Sequence, residues 1–80
     1  MTTNKAIIYR ILDLCTQHNL SVEGLSRISA VPPSTLKNIL NGTTKSPGII
    51  TIKKLCDGLD ITLIDFFNTD TFKSLEQEIK

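Results

Sequence analysis

Tryptophan is absent from this 80-residue chain, and its aromatic complement is one Tyr and three Phe. Proteins that stack unpaired bases need several exposed rings, so that mode of nucleic-acid binding is disfavoured. Histidine is equally scarce. With His18 alone, no Gly-rich phosphate loop after a strand and no nucleophile motif, no acid, base and nucleophile can be assembled, and an enzyme is not expected. Cys15 and Cys56 stand far apart, with no C-x-x-C and no His at ligand spacing, which argues against a zinc site, a redox motif or any other cofactor. Buried, reduced thiols are the expectation. The apolar residues Ala6 to Ile8 are soon followed by Arg10 and Asp13, and no run is long enough to span a membrane, so a cytoplasmic protein is expected.

Eighty residues suffice for one small domain, and a chain of this size buries about 60 to 65% of its unfolded surface, so its stability is expected to be modest. The net charge of +1 is a poor sign of nucleic-acid binding, but its distribution says more. Residues 1–54 carry seven cations against Asp13 and Glu23, a net of +5, whereas residues 55–80 carry two lysines against six carboxylates, a net of −4. Such a dipolar surface steers one face toward phosphates.

The stretch at residues 21–42, SVEGLSRISAVPPSTLKNILNG, reads as two short amphipathic helices joined by a tight turn. Ser21 suits an N-cap, and Val22, Leu25 and Ile28 follow at three-residue spacing. The second helix starts at Pro32-Pro33, where a fixed φ is tolerated, and ends at Asn41-Gly42, where Gly or Asn takes the left-handed position. Leu36, Ile39 and Leu40 form its inward stripe. At ~100° per residue Ser34, Asn38 and Asn41 then point outward, flanked by Thr35 and Lys37. Paired donors and acceptors of this kind suit base edges in a major groove.

Ser21, Leu25-Ser26, Ala30-Val31, Ser34-Thr35-Leu36 and Asn41-Gly42 resemble the helix-turn-helix of the phage-repressor class, the Cro/CI or XRE-type family. Pro47, Thr51-Ile52, Leu55, Leu59 and the run from Leu63 to Phe67 resemble the later helices of the same domain. The resemblance covers about residues 6–67. It implies an all-α, lambda-repressor-like DNA-binding domain of five short helices, here with a sixth at the C-terminus, that binds double-stranded DNA as a homodimer. Three positions depart from the pattern. Ala30 stands where Gly is usual, and a non-Gly residue with positive φ costs about 1 kcal/mol unless the turn geometry differs. Ser26 replaces a small Ala. Pro32 replaces a Ser or Thr cap, which leaves the helix amides available to a phosphate.

Elsewhere, Ile8, Ile11, Leu12 and Cys15 give a first packing helix that begins after Thr3 or Asn4. The loop TTKSPG follows Gly42, and the resemblance implies that it touches the DNA backbone. Thr43, Thr44 and Lys45, with neighbouring amides, are therefore the phosphate candidates together with Pro33 at the helix start, although a plain connector explains the threonines as well. Ser34, Thr35, Lys37 and Asn38 are the base candidates. Where relatives often carry more Arg or Lys this chain has Ser46 and Gly48, which implies weaker, less salt-sensitive binding. A fourth helix spans about residues 50–59 with Gly58 allowing close packing or an early end, and Thr62 caps a fifth holding Leu63, Ile64, Phe66 and Phe67. The C-terminal extension, about residues 70–79, carries Phe72, Leu75 and Ile79 at helical spacing.

Two functions follow. One is a sequence-specific DNA-binding transcriptional regulator. The other is an antitoxin-like or other protein-interaction module, in which the C-terminal helix holds a protein partner.

Overall fold

The computed structural model describes residues 1–79; Lys80 lies outside them. The described residues form six helices and no strand: α1 (Thr3–Gln17), α2 (Val22–Ser29), α3 (Pro33–Leu40), α4 (Ile49–Leu59), α5 (Leu63–Phe67) and α6 (Asp70–Lys73). Side-chain hydroxyls set most of the starts. Thr2 accepts from the Lys5 amide and Ser21 from the Gly24 amide at 3.0 Å. Thr62 and Asp65 form a reciprocal capping box, and the hydrogen bonds from Thr62 hold the Asp65 carboxyl below the usual range.

One core gathers Ile11 and Leu14 of α1, Leu25 of α2, Leu36 and Ile39 of α3, and Leu55, Cys56 and Phe66 behind them, all at most 2% exposed. Two inward faces differ from the expected stripes. In α1 the buried set is Ala6, Ile7, Ile11, Leu14 and Cys15, while Leu12 is 42% exposed. Apolar residues at positions 6, 7, 8, 11, 12, 14 and 15 wrap too much of that helix for spacing alone to fix its inward side. In α2 the buried set is Gly24, Leu25, Ser26 and Ser29, while Ile28 is 46% exposed. That helix packs mainly on α4 through small residues, because Gly58 lies against the Ile28 and Ser29 backbone and admits no Cβ.

Both serines on the buried face are satisfied locally. Ser26 donates to the Val31 carbonyl, and Ser29 donates to the Leu25 carbonyl at 2.6 Å. These bonds anchor the turn that joins α2 to α3. Ala30 in that turn takes φ 58°, ψ 23°, so the chain adopts the left-handed conformation despite its Cβ, and no alternative turn geometry relieves it.

Arg10, counted among the basic residues of the sequence, has a structural role. Its Nε donates to the Phe66 carbonyl at 2.8 Å and its Nη2 to the Asp65 carbonyl at 2.9 Å, satisfying the end of α5. Of the four apolar residues of α5, Phe66 is buried, Leu63 and Phe67 are partly buried, and Ile64 is 78% exposed. Phe66, Phe67 and Phe72 form an aromatic cluster, with Phe67 edge-on to both partners at 4.8 and 5.0 Å between centroids. Cys15 and Cys56 are buried free thiols, and burial pushes both up from the ordinary thiol range.

The sixth helix is shorter than the spacing of Phe72, Leu75 and Ile79 suggested. It ends at Lys73, and Ile79 is 88% exposed. Isolated helices of ten residues are marginal in water, and this tail has a better partner in the positive N-terminal end of α1. The Glu76 amide donates to the Met1 carbonyl at 3.2 Å, and the Thr3 hydroxyl donates to Glu78 Oε2 at 2.9 Å. Because these contacts are exposed, deleting residues 75–80 should cost less than about 1 kcal/mol in a denaturant melt. Deleting residues 70–80 also strips Phe72 from the aromatic cluster and should cost about 1–2 kcal/mol more.

Candidate nucleic-acid interface

The start of α3 has no side-chain cap: Pro32 occupies the cap position, and the first backbone bond is from the Leu36 amide to the Pro32 carbonyl at 3.1 Å. Pro33 has no N–H, so the Ser34 and Thr35 amides are the donors without an intrahelical acceptor. Beyond them, Ser34, Lys37 and Asn38 are exposed while Leu36 and Ile39 are buried, and Thr35 sits half-buried on the flank. Three of the four base candidates thus share the open face.

The loop after α3 folds back onto that helix. The Gly42 amide donates to the Ile39 carbonyl at 3.2 Å with φ 82°, the Thr43 amide to Asn41 Oδ1 at 2.9 Å, and the Thr44 amide to the Asn38 carbonyl at 3.0 Å. Asn41 faces outward as expected, and its side-chain Oδ1 is committed to this turn. Of the loop amides expected to serve a phosphate, those of Thr43 and Thr44 are likewise committed internally, the first to the Asn41 side chain and the second to a carbonyl of the last turn of α3. Thr43 and Lys45 are exposed and Thr44 is half-buried. Asn4 supports the loop from α1 by donating to the Thr44 carbonyl at 3.4 Å. Lys45 lines two open clefts together with Thr2 and Asn4 at the start of α1.

Charge on this side is partly paired. Lys37 Nζ lies 3.4 Å from Glu23 Oε1 of α2. The Glu23 carboxyl is held below the usual range, first by a backbone hydrogen bond in its own helix turn and then by Lys37. Lys53 is paired with Asp57 within α4. Sequence spacing pointed to neither Asn4 nor Glu23, since each meets its partner across two elements. Among the described residues no group of three or more His, Cys, Asp or Glu could hold a metal ion, and no helix is long and apolar enough to cross a membrane.

Two short helices joined by a serine-anchored turn, the second with an exposed polar face and uncapped N-terminus, define a helix-turn-helix DNA-binding unit. The family model of the Cro/C1-type HTH DNA-binding domain matches residues 10–71, and the chain belongs to that family. Among solved structures it is similar to that of the prophage Lp1 protein 11, at 29% identity with a TM-score of 0.81, covering 94% of this chain and 100% of the other. No curated protein matches its sequence.

Proposed function

We propose that the protein is a sequence-specific transcriptional regulator that lays α3 in the major groove of double-stranded DNA. Ser34, Thr35, Lys37 and Asn38 contact base edges. The amides following Pro33, the Thr43 and Thr44 side chains, and Lys45 contact phosphates. The observation that carries this reading is the composition of α3: its exposed side holds hydroxyls, an amide and one ammonium, and no carboxylate, beside a buried apolar stripe. Asn pairs bidentately with adenine, Ser and Thr with several bases, and Lys with guanine. The Thr43 and Thr44 amides take little part, so the Lys45 ammonium and the threonine hydroxyls carry the loop's share of the backbone contact.

Regulation in this reading acts through occupancy of an operator. A two-fold dimer would place two copies of α3 on successive turns of the groove. Exposed isoleucines offer it a surface, with Ile49 at 53%, Ile50 at 68% and Ile64 at 78%. The alternative, in which a protein partner is held by the C-terminal helix, has less to stand on, because residues 75–79 are not helical and lie against the start of α1.

Lys45→Ala tests the phosphate assignment. A phosphate contact carries no base information, so binding to a preferred site and to random duplex should weaken in parallel, with the salt slope shallower by ~1. Titrations on both duplexes at several salt concentrations check this. A loss confined to the preferred site would place Lys45 on a base edge.

A further inference from the structure

We propose that Glu23 is a specificity-determining residue: it holds the Lys37 ammonium beside α3 and withholds it from the phosphate backbone, so that Lys37 reads a guanine edge. This rests on the regulator reading above and adds a residue from outside the recognition helix.

Lys37 has a flexible four-carbon stem carrying a point charge, and on its own such a side chain takes the nearest phosphate, which conveys no sequence. Here its ammonium sits 3.4 Å from Glu23 Oε1, and both side chains are well exposed, at 59% and 64%. Pairing leaves two of the three ammonium protons free, which is what the O6 and N7 acceptors of guanine require. A phosphate at the same place would meet the Glu23 carboxylate as a like charge. Glu23 lies in the first turn of α2, where the positive helix end favours its carboxylate. The pair therefore joins the two helices of the motif at the edge of the reading face. Of the four residues assigned to bases, Lys37 alone carries a charge, and it alone needs such a restraint.

Glu23→Gln keeps the shape and removes the charge. Freed, Lys37 should move to a phosphate. Random duplex should bind about threefold to fivefold tighter, the scale of one exposed ion pair. The salt slope should steepen by ~0.9, which is about a 3.5-fold larger loss between 50 and 200 mM salt. Preference at one G·C pair should relax in sites selected from a random duplex pool. In a Lys37→Ala background the substitution should change none of these. Glu23→Ser, which also lacks the charge, should repeat the result, and circular dichroism melts should show both variants folded. Unchanged random-duplex affinity and slope for Glu23→Gln would overturn the inference, as would a gain that persists without Lys37, since the carboxylate would then act by general repulsion. If the parent chain itself selects no site, the regulator reading falls and this inference with it; if the parent selects a site and Glu23→Gln matches it throughout, only the inference falls.

Discussion

Replacing Gly58 by alanine should destabilise the domain by about 2–3 kcal/mol, the upper part of the range for forced overpacking. A Cβ built there would stand 2.7 Å from the Ile28 carbonyl oxygen and 2.9 Å from Ser29 Cα. Both atoms are backbone, so no side chain can swing aside, and α2 and α4 would have to separate. Alanine's better helix propensity returns about 0.5–1 kcal/mol, too little to offset that. For a domain of this size the melting temperature should fall by about 8–24 °C. Gly48→Ala is the control: nothing lies within 4 Å of its Cβ and its φ is −69°, so its melt should match the parent. Since Ile28 and Ser29 lead directly into the turn before α3, the same substitution should also weaken DNA binding. Equal melts for the two variants would contradict the close packing of α2 on α4.

On a preferred duplex, Asn38→Ala should cost about 1–3 kcal/mol, the value of a good base contact, and Ser34→Ala should cost less because a hydroxyl makes fewer bonds. Both side chains are exposed, four residues apart on the side of α3 away from Leu36 and Ile39. The Asn38 backbone carbonyl accepts from the Thr44 amide at 3.0 Å, a bond that alanine retains, so the loop should keep its shape. Thermal melts should therefore be unchanged while fluorescence anisotropy shows the loss on the preferred site and almost none on random duplex. Equal losses on both duplexes would make Asn38 a backbone contact.

The helix-turn-helix was legible because its signals are local. Ser21 caps α2, Pro33 opens α3, Gly42 takes the left-handed position, and Leu36 with Ile39 marks the inward side. Gly58 was legible as a site of close packing or of an early helix end, and the folded chain decides for packing, against the Ile28 and Ser29 backbone. What stayed hidden depends on residues far apart in sequence. Which side of α1 faces inward is decided by the rest of the core, since apolar residues surround much of that helix. Ile28 fits the spacing of a buried stripe, yet the helix turns its small residues toward α4. The spacing of Phe72, Leu75 and Ile79 suits a helix, but spacing carries no information about the competing end of α1. In the candidate site, the exposed face of α3 followed from periodicity, whereas the Glu23–Lys37 pair and the commitment of the loop amides required the folded chain.

Selecting bound sites from a random duplex pool, with the parent chain and with Asn38→Ala in parallel, tests most directly whether α3 reads bases. The parent should enrich a defined motif, and the variant should keep most of it while losing preference at one or two base pairs. A pool left unenriched by the parent, or the same motif recovered with both proteins, would contradict readout through this face of the helix.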